Sequence, residues 1–452
     1  MAVRQLTPLR MSAKPAQTDG RASTRIYRPF FIAGILTVLT AGCTLGAIAL
    51  LGIALKGSYI AAGWTPYVLA HANSQLYGWV GFFIMGFALQ QHAPRMSKVA
   101  LFHRLAYASL ALMAVGIGLR FAAEPLADVQ PNVWIPVGVF SCLLQLAAVI
   151  LFNVNTAVTR FRPESGPGES TGRSLPWQTK LVFASLFWWT VVAVCEPFYF
   201  YLNHTRGVMF VAEWFPPLRE AQFAGFVVMM IFGVAFVKMN SCFGAKPALR
   251  LHGEVGFVLW NVGLVARMVG WITYFQSGMA TNSSWLYNLG GVLMAASAVL
   301  LVLATRLFER TEFSIPAHKF VRGAMAWLLI AGALLLFEPL HLRLVGSPFS
   351  HAYLGAVRHA LTVGFISQMI LGVGMHVVSN MNDLVDRPQL WSVFWLLNIG
   401  NLLRVSFEIA TDYAPNAFLP MGATGFIELA ALSIWAWHVG RPLVARKLYG
   451  TP

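Results

Sequence analysis

The chain has 452 residues, 57% of them hydrophobic and 11% charged. A soluble domain carries about a quarter charged residues, so this composition excludes an ordinary soluble enzyme and points to a protein that crosses a membrane many times. The formal net charge of +15 would suggest a nucleic-acid partner in a soluble chain. Here most basic residues lie in short segments between apolar spans, where they set topology, and no nucleic-acid partner is expected.

The first 28 residues are polar and basic, without the apolar core of a cleaved signal peptide. They read as a cytoplasmic arm in front of a single transmembrane domain, 29–452. A span needs about 20 mostly apolar residues. Twelve are expected: roughly 29–55, 64–91, 100–123, 132–157, 179–201, 217–238, 251–274, 284–305, 322–342, 354–378, 390–410 and 420–439. In a bilayer core without water these must be helices. Lys and Arg concentrate in the arm, after the even-numbered spans and in the tail, which places both termini in the cytoplasm and the chain in the cytoplasmic membrane. Gly166 to Gly172 is a hydrophilic linker. The cysteines Cys43, Cys142, Cys195 and Cys242 have no metal or disulfide spacing.

Three segments repeat. Gly78 and Gly86, Gly225 and Gly233, and Gly364 and Gly372 are each eight apart, and an aromatic follows the first of each pair: Trp79, Phe226, Phe365. Arg120 and Arg267 lie 42 residues after Gly78 and Gly225, and Arg404 lies 40 after Gly364. Glu196-Pro197 and Glu338-Pro339 precede Gly225 and Gly364 by 29 and 26 residues; the first span has no such pair. The expected fold is therefore all-α, about twelve transmembrane helices in three pseudo-repeats of four (29–160, 179–306, 322–440). Such repeats often frame a central site.

His71 opens span 2 and His359 lies in the first turns of span 10. Both spans run from outside to inside, so the rings sit at similar depth near the outer face. Two neutral imidazoles at one depth on facing helices can supply both axial ligands of a haem iron. His376 lies seventeen residues on from His359, about 25 Å along a helix, and cannot share that iron. Arg120, Arg267 and Arg404 each need an anion inside a membrane. Glutamates at comparable depth can pair with them, and haem propionates are the functional alternative. Glu196, Glu220 and Glu338 are candidates for ion pairing or proton transfer. His341, His351 and His204 near the outer face are candidate copper ligands, although they lack any tight metal spacing. The remaining histidines stand mostly beside basic loops and read as interfacial.

At His71 to Arg95 and at Arg358 to Asn380 the chain resembles the NnrS family. The residues that carry this are His71-Ala72 followed by Leu76-Tyr77-Gly78 and Gly86-Phe87, and His359-Ala360-Leu361-Thr362-Val363-Gly364 followed by Met369-Ile370-Leu371. The family comprises twelve-helix membrane proteins with haem and copper, associated with bacterial nitric oxide metabolism. The resemblance implies a b-type haem, with copper as a second metal. It also implies a small diatomic ligand such as nitric oxide, and a role in nitric oxide metabolism or stress by electron transfer or nitrosyl handling. More distantly the layout looks like subunit I of the haem-copper oxidases and nitric oxide reductases. There a low-spin haem lies between histidines on helices 2 and 10, the places that His71 and His359 would take. The departures are specific: Val357 stands where that pattern has a second histidine, span 6 has none, and span 7 has only His252, at the wrong end. A working terminal oxidase or proton pump is not expected. Two rival readings are an oxidoreductase with a relocated metal site and a secondary transporter.

Overall fold

The computed structural model describes residues 25–59, 63–93, 98–159, 176–382 and 388–445. Most of the basic arm (1–24) and the Gly166–Gly172 linker lie outside them. All regular structure in the described residues is helical. Among the described residues eleven helices are long and apolar enough to cross a membrane. We label these α1 (Tyr27–Lys56), α3 (Val99–Leu126), α4 (Pro131–Val158), α5 (Thr179–Arg206), α6 (Met209–Phe243), α7 (Arg250–Gln276), α8 (Trp285–Thr305), α9 (His318–Val345), α10 (His351–Met381), α11 (Trp391–Ala410) and α12 (Pro415–Val444). The stretch expected as the second span, α2 (65–92), is also helical throughout. It is the more polar helix, carrying Asn73, Ser74, Gln75, Gln90 and Gln91. Helix ends fall within a few residues of expectation, save that α6 starts earlier, through Pro216-Pro217, and α1 takes in the last two residues of the expected arm.

The three units of four are plain in the packing. Within each unit the third and fourth helices lie together (α3–α4, α7–α8, α11–α12). The fourth packs on the first of the next unit (α4–α5, α8–α9), and α12 on α1 closes the ring. The second helices form the centre. Across an apolar 18-residue stretch of each span, 78% of residues are buried in α6 and 67% in α10, against 33–50% in the other apolar spans. Trp79 Nε1 on α2 donates to Ser367 Oγ on α10 at 3.3 Å, and Phe232 on α6 stacks on Phe365 of α10. Large apolar side chains such as Phe140, Phe187, Val262, Phe337 and Trp395 on the outer helices face outward, as lipid contact requires.

Each second helix holds a π-helical turn at the same place, around the first repeat glycine. The turns are Ser74–Val80, Ala221–Val228 and Ala360–Ser367. The glycines let the first helix of each unit approach. A Cβ on Gly225 would meet Trp188 Cγ at 2.6 Å, and one on Gly364 would meet Trp327 Cγ at 2.5 Å; Gly78 faces Thr37. Those tryptophans are equivalent in another way: Trp188 donates to Asn261 Oδ1 at 3.2 Å and Trp327 to Asn398 Oδ1 at 2.8 Å. π-helical turns offset the helical register by a residue and leave backbone carbonyls available. A fourth such turn, Val38–Gly42 in α1, has no counterpart in α5 or α9.

Candidate functional site

The repeat brings three buried polar junctions to the end of the molecule expected to face outward. Each is built on the arginine of a third helix, which stands four residues after a packing glycine (Gly116, Gly263, Gly400). Those glycines sit hard against α4, α8 and α12 respectively.

At the first junction Arg120 Nε binds Glu124 Oε1 at 2.7 Å, and Nη2 lies 3.4 Å from Glu196 Oε2 on α5. Glu196 Oε1 accepts from Gln222 at 2.7 Å and lies 3.7 Å from Arg219 of α6. At the second, Arg267 reaches Glu338 of α9 at 2.8 Å and Glu220 of α6 at 3.3 Å. Tyr287 OH accepts from Arg267 and donates to Glu338 at 2.8 Å. In both, the arginine of one unit is neutralised by the Glu-Pro carboxylate of the next. Buried charges tolerate the low dielectric only when paired in this way. Three of the expected ion-pair groups, Glu196, Glu220 and Glu338, thus meet the arginines.

The third junction is different, because α1 carries no glutamate to close it. Arg404 Nη2 binds Glu408 Oε1 at 3.0 Å, but its Nε and Nη1 have no hydrogen-bond partner among the described residues. The second helices contribute differently too. Counting back from the repeat glycine, the sixth place holds Arg219 on α6 and Arg358 on α10, but Ala72 on α2, next to His71. The fifth place holds Asn73, Glu220 and His359. The junction that lacks its acid is therefore the one flanked by the two histidines.

Both imidazoles are fixed in the same manner. His71 Nδ1 lies 2.8 Å from the carbonyl oxygen of Gly42, where the π-helical turn of α1 ends. His359 Nδ1 lies 2.9 Å from Gly355 O and 3.3 Å from Glu408 Oε2. A carbonyl can only accept, so in each ring Nδ1 carries the proton and Nε2 is left with its lone pair. No described residue hydrogen-bonds either Nε2. The two rings act on each other electrostatically, and Arg404 acts on His71. On α2, His71, Ala72 and Gln75 are only half-buried, and so are Gly355, Arg358, His359, Thr362 and Val363 on α10. These partly buried faces leave both rings accessible on the central helices. Two imidazoles that each keep a lone pair at Nε2 are donors that could hold a metal.

The other expected ligands are dispersed. His204 bridges Asp128 (3.1 Å) and Glu124 (3.2 Å). His341 Nε2 binds Asp412 at 2.7 Å, and Tyr413 OH lies 3.1 Å from its Nδ1. His351 stands exposed beside Phe349 and Tyr59. The three do not converge, and no group of three His, Cys, Asp or Glu in the described residues could hold a metal ion. His318 differs from the expected interfacial reading. It is buried, donating Nε2–H to Phe243 O at 2.8 Å and accepting from Ile315 N–H at 3.3 Å, which ties α6 to α9.

Sequence reasoning did not single out Arg219, Arg358, Asn401 or Glu428. The signal for the first two was available, since both stand six residues before a repeat glycine. Asn401 stands where the other units have Ile117 and Leu264, while Glu428 packs on Gly400 as Gln145 packs on Gly116 and Met294 on Gly263, a correspondence that only the packing reveals.

These elements define an all-α, multi-pass membrane protein with a polar site at one end of its central helices. The chain belongs to the NnrS family: the family's sequence pattern, described as NnrS protein, matches residues 25–447. Membership supports a membrane protein linked to the nitric oxide response. No curated protein matched the sequence.

Proposed function

We propose that this protein is a b-type haem protein of the nitric oxide response, with the iron held between Nε2 of His71 and Nε2 of His359. The observation that carries the reading is the shared state of the two rings: each is held at Nδ1 by a backbone carbonyl, and neither Nε2 is hydrogen-bonded by a described residue. A ligating histidine normally gives its other N–H to such an acceptor, which fixes the tautomer and raises ligand basicity. Glu408 beside His359 Nδ1 adds to that on one side only. The group would supply one-electron chemistry and an affinity for nitric oxide once one histidine is displaced. The distribution of Lys and Arg supports a place in the cytoplasmic membrane with both termini inside.

The test is an absorption spectrum of the detergent-purified protein, oxidised and dithionite-reduced, beside His71→Ala and His359→Ala. A sharp Soret band with split visible bands on reduction, lost or turned high-spin in each variant, is expected. A wild type that stays colourless after haem supplementation overturns the reading in favour of a transporter. Stoichiometric copper in the same preparation favours an oxidoreductase that uses His341, His351 or His204.

A further inference from the structure

At the end of the molecule expected to face the cytoplasm, α9 and α11 begin on either side of α10. α9 packs along the whole of α10, while α11 packs mainly on its outer half. Their inner ends leave a groove of about 610 Å³ between them, closed on one side by Phe308 and Ile315 of the α8–α9 connection. Two cations line it, Lys319 and Arg322, and no acid is among its described lining residues. Lys319 Nζ donates to Gln389 O and lies 4.1 Å from the centre of the Trp391 ring. Arg322 donates to carbonyls alone, Nε to Leu307 O at 3.0 Å and Nη2 to Glu309 O at 3.4 Å. The Glu309 carboxylate is itself held by Arg306 at 2.7 Å and Lys246 at 2.8 Å. Carbonyls orient the two cations without cancelling their charge.

The second unit is built differently at the same place. Trp188 corresponds to Trp327 and Asn261 to Asn398. By that count Lys319 answers to Lys180, Arg322 to Phe183, Ala326 to Phe187, Pro316 to Trp177 and Trp391 to Glu254. There Trp177 packs on Gly253 and on Phe236, with ring centres 5.0 Å apart, and Lys180 has Glu254 at 3.8 Å. The third unit has lost both the indole that fills the place and the carboxylate that answers the lysine, and it has gained an arginine. Toward the bilayer centre the walls turn apolar, through Gly323, Ala326 and Phe394. Ile330 and Trp395 continue the same helices and are exposed.

We propose that this groove binds one anionic phospholipid of the inner leaflet, with its phosphate between Lys319 and Arg322 and an acyl chain along Ala326 and Phe394. Charge selects the headgroup, because a basic pocket between helices on the cytoplasmic side attracts an anionic lipid. The apolar walls that lead into the bilayer select a lipid over a free phosphate. The site stands apart from the proposed haem, which lies at the other end of these helices, and does not depend on it.

The full-length protein, delipidated in mild detergent, is titrated with dioleoyl phosphatidylglycerol and with dioleoyl phosphatidylcholine, and bound lipid is counted by native mass spectrometry. The first phosphatidylglycerol is expected to bind more tightly than phosphatidylcholine on the order of tenfold or more, the scale of two basic groups at an anionic headgroup. Lys319→Gln and Arg322→Gln are expected to lose most of that preference. Lys180→Gln, at the equivalent lysine that already has Glu254, is expected to keep it. Ala326→Phe leaves both charges in place and narrows the groove with the side chain that the second unit has there. It is expected to weaken the binding of phosphatidylglycerol, and it carries the comparison if Arg322→Gln does not fold. Equal binding of the two lipids, or an unchanged preference in the groove variants, overturns the proposal. So does a loss in Lys180→Gln as large as in Lys319→Gln, which would show a general surface attraction. Displacement of the phosphatidylglycerol by inorganic phosphate at equal concentration identifies a free-phosphate site and overturns the assignment to a lipid.

Discussion

His71 and Gly46 are in contact across two helices: a Cβ added to Gly46 would lie 2.5 Å from His71 Cε1 and 2.7 Å from Nδ1. The glycine therefore holds space for the ring, while Gly42, one turn earlier, supplies the carbonyl that orients it. Gly46→Ala must push the imidazole away from that carbonyl. Overpacking of this kind costs about 1–3 kcal/mol, and here the strain falls on one of the two rings proposed to hold the iron. The expected result is a lower thermal midpoint and a weakened or high-spin Soret band. Gly118→Ala, where nothing lies within 4 Å, is the control and is expected to be neutral or slightly stabilising. Equal behaviour of the two variants would show that Gly46 does not shape the site.

Arg267 and Glu338 link α7 to α9 at 2.8 Å in a buried setting. Breaking the pair by Arg267→Ala leaves Glu338 without its cation, and about 3–5 kcal/mol of destabilisation is expected. The double variant Arg267→Met, Glu338→Leu removes both charges and is expected to recover much of that loss. Thermal unfolding in detergent, followed by circular dichroism, gives the comparison. A double variant no better than the single one would mean that the pair contributes specific hydrogen bonding, through Tyr287, beyond charge neutralisation.

The fold was largely legible because a bilayer imposes one rule on every span. Apolar runs of about 20 residues marked the helices to within a few positions, and even the more polar α2 was found by its length. The glycine pairs marked the central helices, since only glycine admits Trp188 and Trp327 at those distances. The π-helical turns were not legible. They follow from how the helices pack: α1 has a glycine pair of the same spacing, Gly34 and Gly42, yet its turn ends at the second glycine and does not surround the first. The site was half legible. His71 and His359 stood out because ionisable groups in spans are rare, but a sequence does not say which arginine is left with a carboxylate from its own helix alone. That depends on α1 lacking a carboxylate at a place set by ring closure. Pro216-Pro217 obscured the start of α6 in the same way, because tertiary packing overrides a local break signal there.

Gly225 and Gly364 make equivalent contacts in two units, so they give a paired test of the repeat. Gly225→Ala presses on Trp188 and Gly364→Ala on Trp327, each a rigid indole held by an asparagine. Both are expected to destabilise by a similar amount, about 1–3 kcal/mol. Only Gly364→Ala is expected to alter the haem spectrum, because its π-helical turn begins one residue after His359. A spectral change in both would place the haem nearer to α6 than proposed.

His341 ties three helix ends together. Its Nε2 meets Asp412 after α11 at 2.7 Å, its Nδ1 meets Tyr413, and Asp412 also accepts from Ser350 at the start of α10. The ring also packs on Tyr353, with centroids 4.3 Å apart. With both nitrogens engaged by the chain, the residue does structural service, since a copper ligand needs one nitrogen free. His341→Ala removes the ring and leaves Asp412 and Tyr413 without their partner, at about 1–3 kcal/mol. The expected outcome is a thermal midpoint lower by several degrees, with the haem spectrum and any copper-to-haem ratio unchanged. A fall in copper content at an unchanged midpoint would reverse the assignment, because it would show that Asp412 and Tyr413 do not depend on the ring while the metal does.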